Sequence, residues 1–221
     1  MSGGAVIFDL DGVLIDSEGL QHQAYAEVLR RFGVRISLDE YAAHWTATGR
    51  GPEYAVHTYR LPVEPQELRA LKGAVYHDIL RRQVTLMPGT AAALTRLRAR
   101  FPLGLATNSN RADVAFVLEH FELWRFFGSV VTREDYALAK PEPDAYLASA
   151  VGLQVAPGDC VVVEDAYRGV LAAHRAGARP VAVPNWFTRN NDFSLALRVF
   201  ASLDELTVPV AEALLAGGSP G

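Results

Sequence analysis

Two aspartates one residue apart, Asp9 and Asp11, follow the apolar run Ala5-Val6-Ile7-Phe8 and precede Gly12. A run of that length suits a buried strand and is too short to cross a membrane. Ligands of open α/β sheets bind just beyond the carboxyl ends of the strands. Carboxylates placed there together are partly desolvated and repel each other, so they call for a cation or a shared proton. Gly12 lets the backbone turn sharply beside them. Asp and Gly are also ordinary turn residues, so the pair alone decides nothing.

Three further groups follow other short apolar runs. Thr107-Asn108-Ser109 ends the run Leu103 to Ala106 and offers hydroxyls and free N–H donors, a natural phosphate cradle, although a plain helix cap has the same composition. Lys140, in Ala139-Lys140-Pro141, is one of only two lysines in the chain. Its compact ammonium could neutralise phosphoryl oxygens and the paired acids, whereas most lysines are simply solvated. Glu164 and Asp165 end the β-branched run Val161-Val162-Val163. Acids opening a helix are common there, yet Asp165 also completes an oxygen-only cation site with Asp9. Hard oxygen donors and a phosphate-bearing substrate suit Mg²⁺. Each group has a bland explanation singly; four at successive strand ends do not.

These groups need a scaffold that brings strand ends together. From 87 onward, short apolar runs alternate with helical patterns at 90–100, 113–121, 143–151 and 167–176. That alternation predicts right-handed crossovers and a doubly wound parallel sheet, an α/β Rossmann-like core, whose last clear strand is 180–183. Residues 17–86 read instead as helix: 18–32, a capping box at Ser37 opening a helix to Trp45, a break over 48–52, then 53–59 and 65–82. The predicted organisation is a core of 1–16 and 87–221 with a small helical cap, 17–86, inserted between.

The chain of 221 residues is half apolar, enough for a large core and a smaller second unit. Its net charge of −4 provides no basic surface for nucleic acid or an anionic membrane. Cys160, the single cysteine, excludes an internal disulfide and any multi-cysteine metal site. With no charged and apolar leader at the start, a cytoplasmic protein is expected, as a monomer or weak homodimer. The tail from 217 to 221 is expected to fray.

The string from Phe8 to Glu18 resembles the first motif of the haloacid dehalogenase superfamily, whose phosphatases and phosphomutases carry D-x-D-G-[VT]-[LI]-x-D-[ST]. The later motifs of that family, a Ser or Thr at a strand end, a Lys before proline and an acidic pair, fall on Thr107, Lys140, and Glu164 with Asp165. The resemblance implies that Asp9 is a nucleophile toward phosphorus and Asp11 a general acid and base. It also implies Mg²⁺ held by Asp9, the Asp11 backbone carbonyl and Asp165, with Glu164 nearby or bound through water. Thr107, Asn108 and Lys140 would grip the transferring group. The insert looks like the small cap of the β-phosphoglucomutase and phosphoglycolate phosphatase branch, with specificity expected on His22, Trp45, Arg50 and Tyr54.

The expected function is therefore a Mg²⁺-dependent phosphatase acting on a small phosphorylated metabolite, a sugar or polyol phosphate, through an aspartyl phosphate. A phosphomutase is the main rival, because Arg50 lies where mutases carry a phosphate-gripping cap arginine. Against it, the mutase histidine position falls on Gln21, with His22 one place late, and the mutase lysine position falls on Val75, with Lys72 a helical turn away. A metal-free dehalogenase lacks an acid at the place of Asp11. A phosphate-binding regulator would need a broken catalytic set, and a D-x-D glycosyltransferase would lack the later motifs.

Overall fold

The computed structural model describes residues 3–46 and 49–217. Thr48 of the expected break, and residues 218–221 of the expected frayed tail, lie outside them.

A six-stranded parallel sheet forms the centre: β1 (Ala5–Phe8), β2 (Leu103–Ala106), β3 (Phe127–Val131), β4 (Cys160–Glu164), β5 (Arg179–Ala182) and β6 (Arg198–Val199). Their order is β3-β2-β1-β4-β5-β6, so the chain builds outward on one side of β1 and then returns to its other side. Val6, Ile7 and Phe8 pair with Leu103, Gly104 and Leu105 on one flank and with Val161, Val162 and Val163 on the other. This β1/β4 boundary is the switch point at which open sheets bind ligands.

Every residue of β1, β2 and β4 is buried, which is why these strands read as continuous apolar runs rather than alternating ones. The period of two divides them between two layers. Val6, Phe8, Leu103, Leu105, Val161 and Val163 face a core completed by helices α5 (Thr90–Arg98), α6 (Arg111–His120) and α9 (Val208–Leu215). Ala5, Ile7, Cys160 and Val162 face the second layer, made by α7 (Asp144–Leu153) and α8 (Tyr167–Arg175).

Between β1 and α5 the described residues are helical: α1 (Glu18–Arg30), α2 (Leu38–Tyr41), α3 (Gly51–Tyr59) and α4 (Pro65–Gln83). They share an aromatic-rich cluster of Tyr25, Val28, Leu29, Tyr41, Trp45 and Leu68. Tyr41 stacks on Trp45 at 5.7 Å, with Tyr25 edge-on to Trp45 at 5.5 Å. The two connections to the sheet run side by side: Asp16 N–H donates to Thr85 O (2.9 Å), and Met87 N–H to Leu14 O (2.9 Å).

Three local expectations need correction. The helix begun at Ser37 is α-helical only to Tyr41 and continues as a π-helical turn over Ala42–Thr46, where the Thr46 hydroxyl donates back to Ala42 O at 2.7 Å. Gly51 and Pro52 belong to α3 rather than to the break, consistent with a proline in a first helical turn. The sheet has a sixth strand, β6, whose two residues are too few to show a pattern in the sequence. Among the described residues, no helix is long and apolar enough to cross a membrane.

Candidate active site

β1 ends at Phe8 and delivers Asp9, whose N–H donates to Val163 O at 3.0 Å, fixing it to the end of β4. The chain then turns tightly, with Leu14 and Ile15 N–H both donating to Leu10 O (2.9 and 3.1 Å). Gly12 has φ +75°, and a Cβ there would lie 2.3 Å from Asp165 Oδ2. Glycine is therefore required both for the backbone angle and for the approach of the second acidic loop.

Lys140 is the hub. Its Nζ donates to Asp9 Oδ1 (2.5 Å), Glu164 Oε1 (2.7 Å) and Ala106 O (2.9 Å), and lies 2.8 Å from the Tyr146 hydroxyl. That hydroxyl donates in turn to Glu164 Oε1. Asp9, Lys140, Glu164 and Asp165 are all buried, each less than 8% exposed, so their charges are weakly screened. Burial would lower the Lys140 ammonium, but Asp9 and Glu164 outweigh it and hold its pKa above the usual lysine range.

One ammonium does not neutralise three buried acids. Burial first, then Glu164 and Asp11, push Asp9 up to about 8 even against Lys140. Asp165 lies well above the carboxylate range, through burial and then the charges of Glu164, Glu18 and Asp9. Asp9, Glu164 and Asp165 each present a carboxylate oxygen, all within 4.8 Å of one another. Asn185 orients the last of these, its Nδ2 donating to Asp165 Oδ2 at 2.7 Å. An oxygen-only, over-negative donor set of this kind fits a hard divalent cation.

Asp11 occupies a different environment. It accepts hydrogen bonds from Ser17 Oγ (2.6 Å) and Ser109 Oγ (2.5 Å), and the Tyr76 hydroxyl approaches at 3.4 Å. Thr107 is buried at the end of β2, and its Oγ1 accepts from Ser109 N–H at 3.0 Å. Asn108 Oδ1 accepts from the Lys140 N–H (3.2 Å) and from Tyr136 (2.7 Å), tying this turn to the lysine loop.

Asp9, Asp11, Thr107, Asn108, Lys140 and the Glu164-Asp165 pair line one cavity of about 420 Å³ roofed by the helical insert. Its size is that of a small-molecule site. Trp45 lines it, but His22 and Arg50 do not. His22 packs edge-on to Tyr41 at 5.4 Å, with Nε2 3.4 Å from Ile36 O, and Arg50 is exposed. Tyr54 turns to Glu40 instead, donating at 3.0 Å. Lys72, not Val75, reaches the cavity: its ammonium donates to Gln21 and lies 4.2 Å from the centre of the Tyr76 ring, while Val75 packs in the core. Burial lowers Lys72 to about 8, against the pull of Asp11, Glu18 and Asp113.

Tyr146, Ser17, Asn185 and Arg168 were not expected as site residues. Ser17 stands inside the opening motif and Tyr146 lies six residues past Lys140. Nothing in the sequence separates Tyr146 from a core aromatic or Arg168 from a solvated helix residue.

Comparison with known proteins places the chain in a family. The model of haloacid dehalogenase-like hydrolases matches residues 4–177. Protein CbbY of Rhodobacter capsulatus is 33% identical over 204 residues, covering 87% of this chain and 90% of its own. The fructose-1-phosphate phosphatase YqaB of Escherichia coli K12 is 30% identical over 179 residues, covering 80% and 95%. Among solved structures, a CbbY variant from Rhodobacter sphaeroides in complex with xylulose-1,5-bisphosphate superposes with a TM-score of 0.79 at 27% identity, covering 93% of this chain and 96% of that one. The chain belongs to the haloacid dehalogenase-like hydrolases, as an enzyme of their phosphatase class, in the branch that includes proteins named as β-phosphoglucomutases.

Proposed function

We propose that this protein is a Mg²⁺-dependent phosphatase of a small sugar or polyol phosphate, working through an aspartyl phosphate on Asp9. The observation that carries this is the buried Asp9–Lys140–Glu164 cluster with Asp165, opening onto a cavity of about 420 Å³ that also holds Asp11. Asp9, Asp165 and the Asp11 backbone carbonyl would hold the metal, with Glu164 beside it. Bound there, Mg²⁺ supplies the positive charge that lets an anionic nucleophile meet an anionic phosphate.

The remaining work falls to the chain's own groups. Asp9 attacks phosphorus in line; the P–O bond to the leaving alcohol breaks, and the phosphoryl group moves to the Asp9 carboxylate. Lys140 fixes the attacking carboxylate and spreads the charge of the transferring group. Asp11, held by Ser17 and Ser109, gives its proton to the leaving oxygen. It then takes a proton from the water that hydrolyses the intermediate. Thr107 and Asn108 hold phosphoryl oxygens. Residues 17–86 act as the cap and 1–16 with 87–221 as the core, the paired strands of chain at 16 and 87 forming the hinge that lets the cap exclude water.

A sugar or polyol phosphate is favoured by the relatives, one named for fructose 1-phosphate and one solved with xylulose-1,5-bisphosphate. A panel of phosphorylated metabolites, assayed for phosphate release with MgCl₂ and with EDTA, tests the proposal. Mg²⁺-dependent release from one or a few sugar or polyol phosphates supports it; no release from any contradicts it.

A second reading has one observation in its favour. Lys72 and Gln21 face the cavity together, so the cap presents a cation there despite the register that pointed to Val75. A phosphomutase would use such a group, but it would also need Arg50 to grip a second phosphate, and Arg50 is outside the cavity. Conversion of β-glucose 1-phosphate to glucose 6-phosphate with little free phosphate would establish the mutase.

A further inference from the structure

The cavity holds five cationic side chains, and four of them are already engaged. Arg69 pairs with Glu53 at 2.8 Å, Lys72 with Gln21, and Lys140 with the acid cluster. Arg133 donates to Tyr136 O (2.9 Å) and Ala137 O (3.1 Å). Arg168 is different. Its Nε is fully buried with no hydrogen-bond partner, and its guanidinium makes no hydrogen bond to any described residue. Burying such a donor unpaired is costly, and an unsatisfied buried group in a native structure calls for an explanation.

The position of Arg168 is fixed from both sides. It stands in the first turn of α8, three residues after Asp165, so the chain keeps its Cα within about 10 Å of that of Asp165. The next residue, Gly169, packs directly against the Glu164 carboxylate, which locks this turn to the acid cluster. On the other side the guanidinium touches the cap: a Cβ on Gly49 would lie 2.7 Å from Arg168 Nη1. Glu18, the acid facing the same space, accepts the Tyr41 hydroxyl at 3.0 Å and feels the Arg168 charge, but makes no hydrogen bond to the guanidinium. The guanidinium is therefore a planar, multi-donor cation at the junction of cap and core, on the cavity wall and separate from the lysine that serves Asp9.

We infer that Arg168 is a specificity-determining residue that binds a second anionic group of the substrate, a phosphate or a carboxylate, at the end remote from the phosphoryl group being transferred. The inference rests on the phosphatase reading of the same cavity. A guanidinium presents parallel N–H donors that match the two oxygens of such a group. Partial burial keeps salt from screening the contact.

Steady-state kinetics of the full chain with MgCl₂ on two matched substrate pairs test this. One pair is a sugar monophosphate and the corresponding bisphosphate; the other is a phosphorylated polyol and the corresponding phosphorylated acid. Wild type is expected to favour the doubly anionic member of at least one pair by about tenfold or more in kcat/KM. Arg168→Gln should lose most of that preference, chiefly through KM, and Arg168→Lys, which keeps the charge, should retain part of it. Loss confined to the first pair identifies a second phosphate as the recognised group, and loss confined to the second identifies a carboxylate. Turnover without preference, or a preference that Arg168→Gln leaves intact, overturns the inference while leaving the phosphatase reading standing. No Mg²⁺-dependent phosphate release from any of the four compounds sinks both.

Discussion

Lys140 and Asp9, 131 residues apart in the chain, meet in a 2.5 Å hydrogen bond between buried charges. The same ammonium bonds Glu164 at 2.7 Å, so a single cation joins the ends of β1 and β4.

Lys140→Ala removes that cation and leaves its acids buried together. Breaking a buried pair by deleting one partner costs about 3–5 kcal/mol. For a chain of this size that lowers Tm by roughly 6–20 °C. Protonation of Asp9, whose pKa is raised to about 8, softens the loss, so the drop should be smaller at pH 5.5 than at pH 8. Thermal melts at both values check this; a melt within two or so degrees of wild type at pH 8 would contradict it.

Gly169→Ala sets two effects against each other. Alanine in a helix is worth about 1 kcal/mol over glycine. A Cβ at this position would lie only 1.8 Å from the Glu164 carboxylate, and forcing a group into a packed core costs about 1–3 kcal/mol. Because Glu164 is also bonded to Lys140 and Tyr146, it cannot swing away without breaking both. The clash should win: lower Tm and weakened Mg²⁺ response. A variant more stable than wild type would show that Glu164 is free to move.

Asp9, raised from 3.8 to about 8, carries a pH signature. Below pH 3.8 both the folded and unfolded forms hold the proton. As pH rises, the unfolded chain releases it first, so this group's contribution to stability declines up to about pH 8. A divalent cation needs the ionised form and reverses the trend. The Mg²⁺-induced rise in Tm should therefore be larger at pH 8 than at pH 5.5. At a hundredfold excess over Kd, the stabilisation is about 2.7 kcal/mol. Differential scanning fluorimetry with MgCl₂ and with EDTA reads it directly. A shift that is equal at both pH values, or absent, would count against the acid cluster as the metal site.

The sheet was legible because its strands are buried on both faces and so stand out as apolar runs. The acids were legible because they follow those runs directly, and Lys140, which lies well past the end of β3, because it is one of two lysines and precedes a proline. β6 was not, since Arg198 and Val199 show neither run nor alternation. Counting along the chain failed in the helical stretch between β1 and α5. Val75 and Lys72 differ by three residues, about 300° around a helix, and packing rather than alignment decided that Lys72 faces the cavity. His22 packs against Tyr41 instead, and Arg50 is not among the residues lining the cavity. Tyr146 and Arg168 were invisible because their roles come from α7 and α8 docking beside the acid cluster, a relation that spacing does not encode.

The central claim is that Asp9 carries the phosphoryl group. Acid-quenched reactions with a turned-over substrate, digested and examined by mass spectrometry, test it most directly. The peptide containing Asp9 should gain the mass of one phosphoryl group in wild type, lose it on addition of hydroxylamine, and show no gain in Asp9→Asn, a variant that should fold with a Tm at pH 8 no lower than wild type. Phosphate release by wild type with no phosphorylated peptide, or by Asp9→Asn at an undiminished rate, would contradict the mechanism.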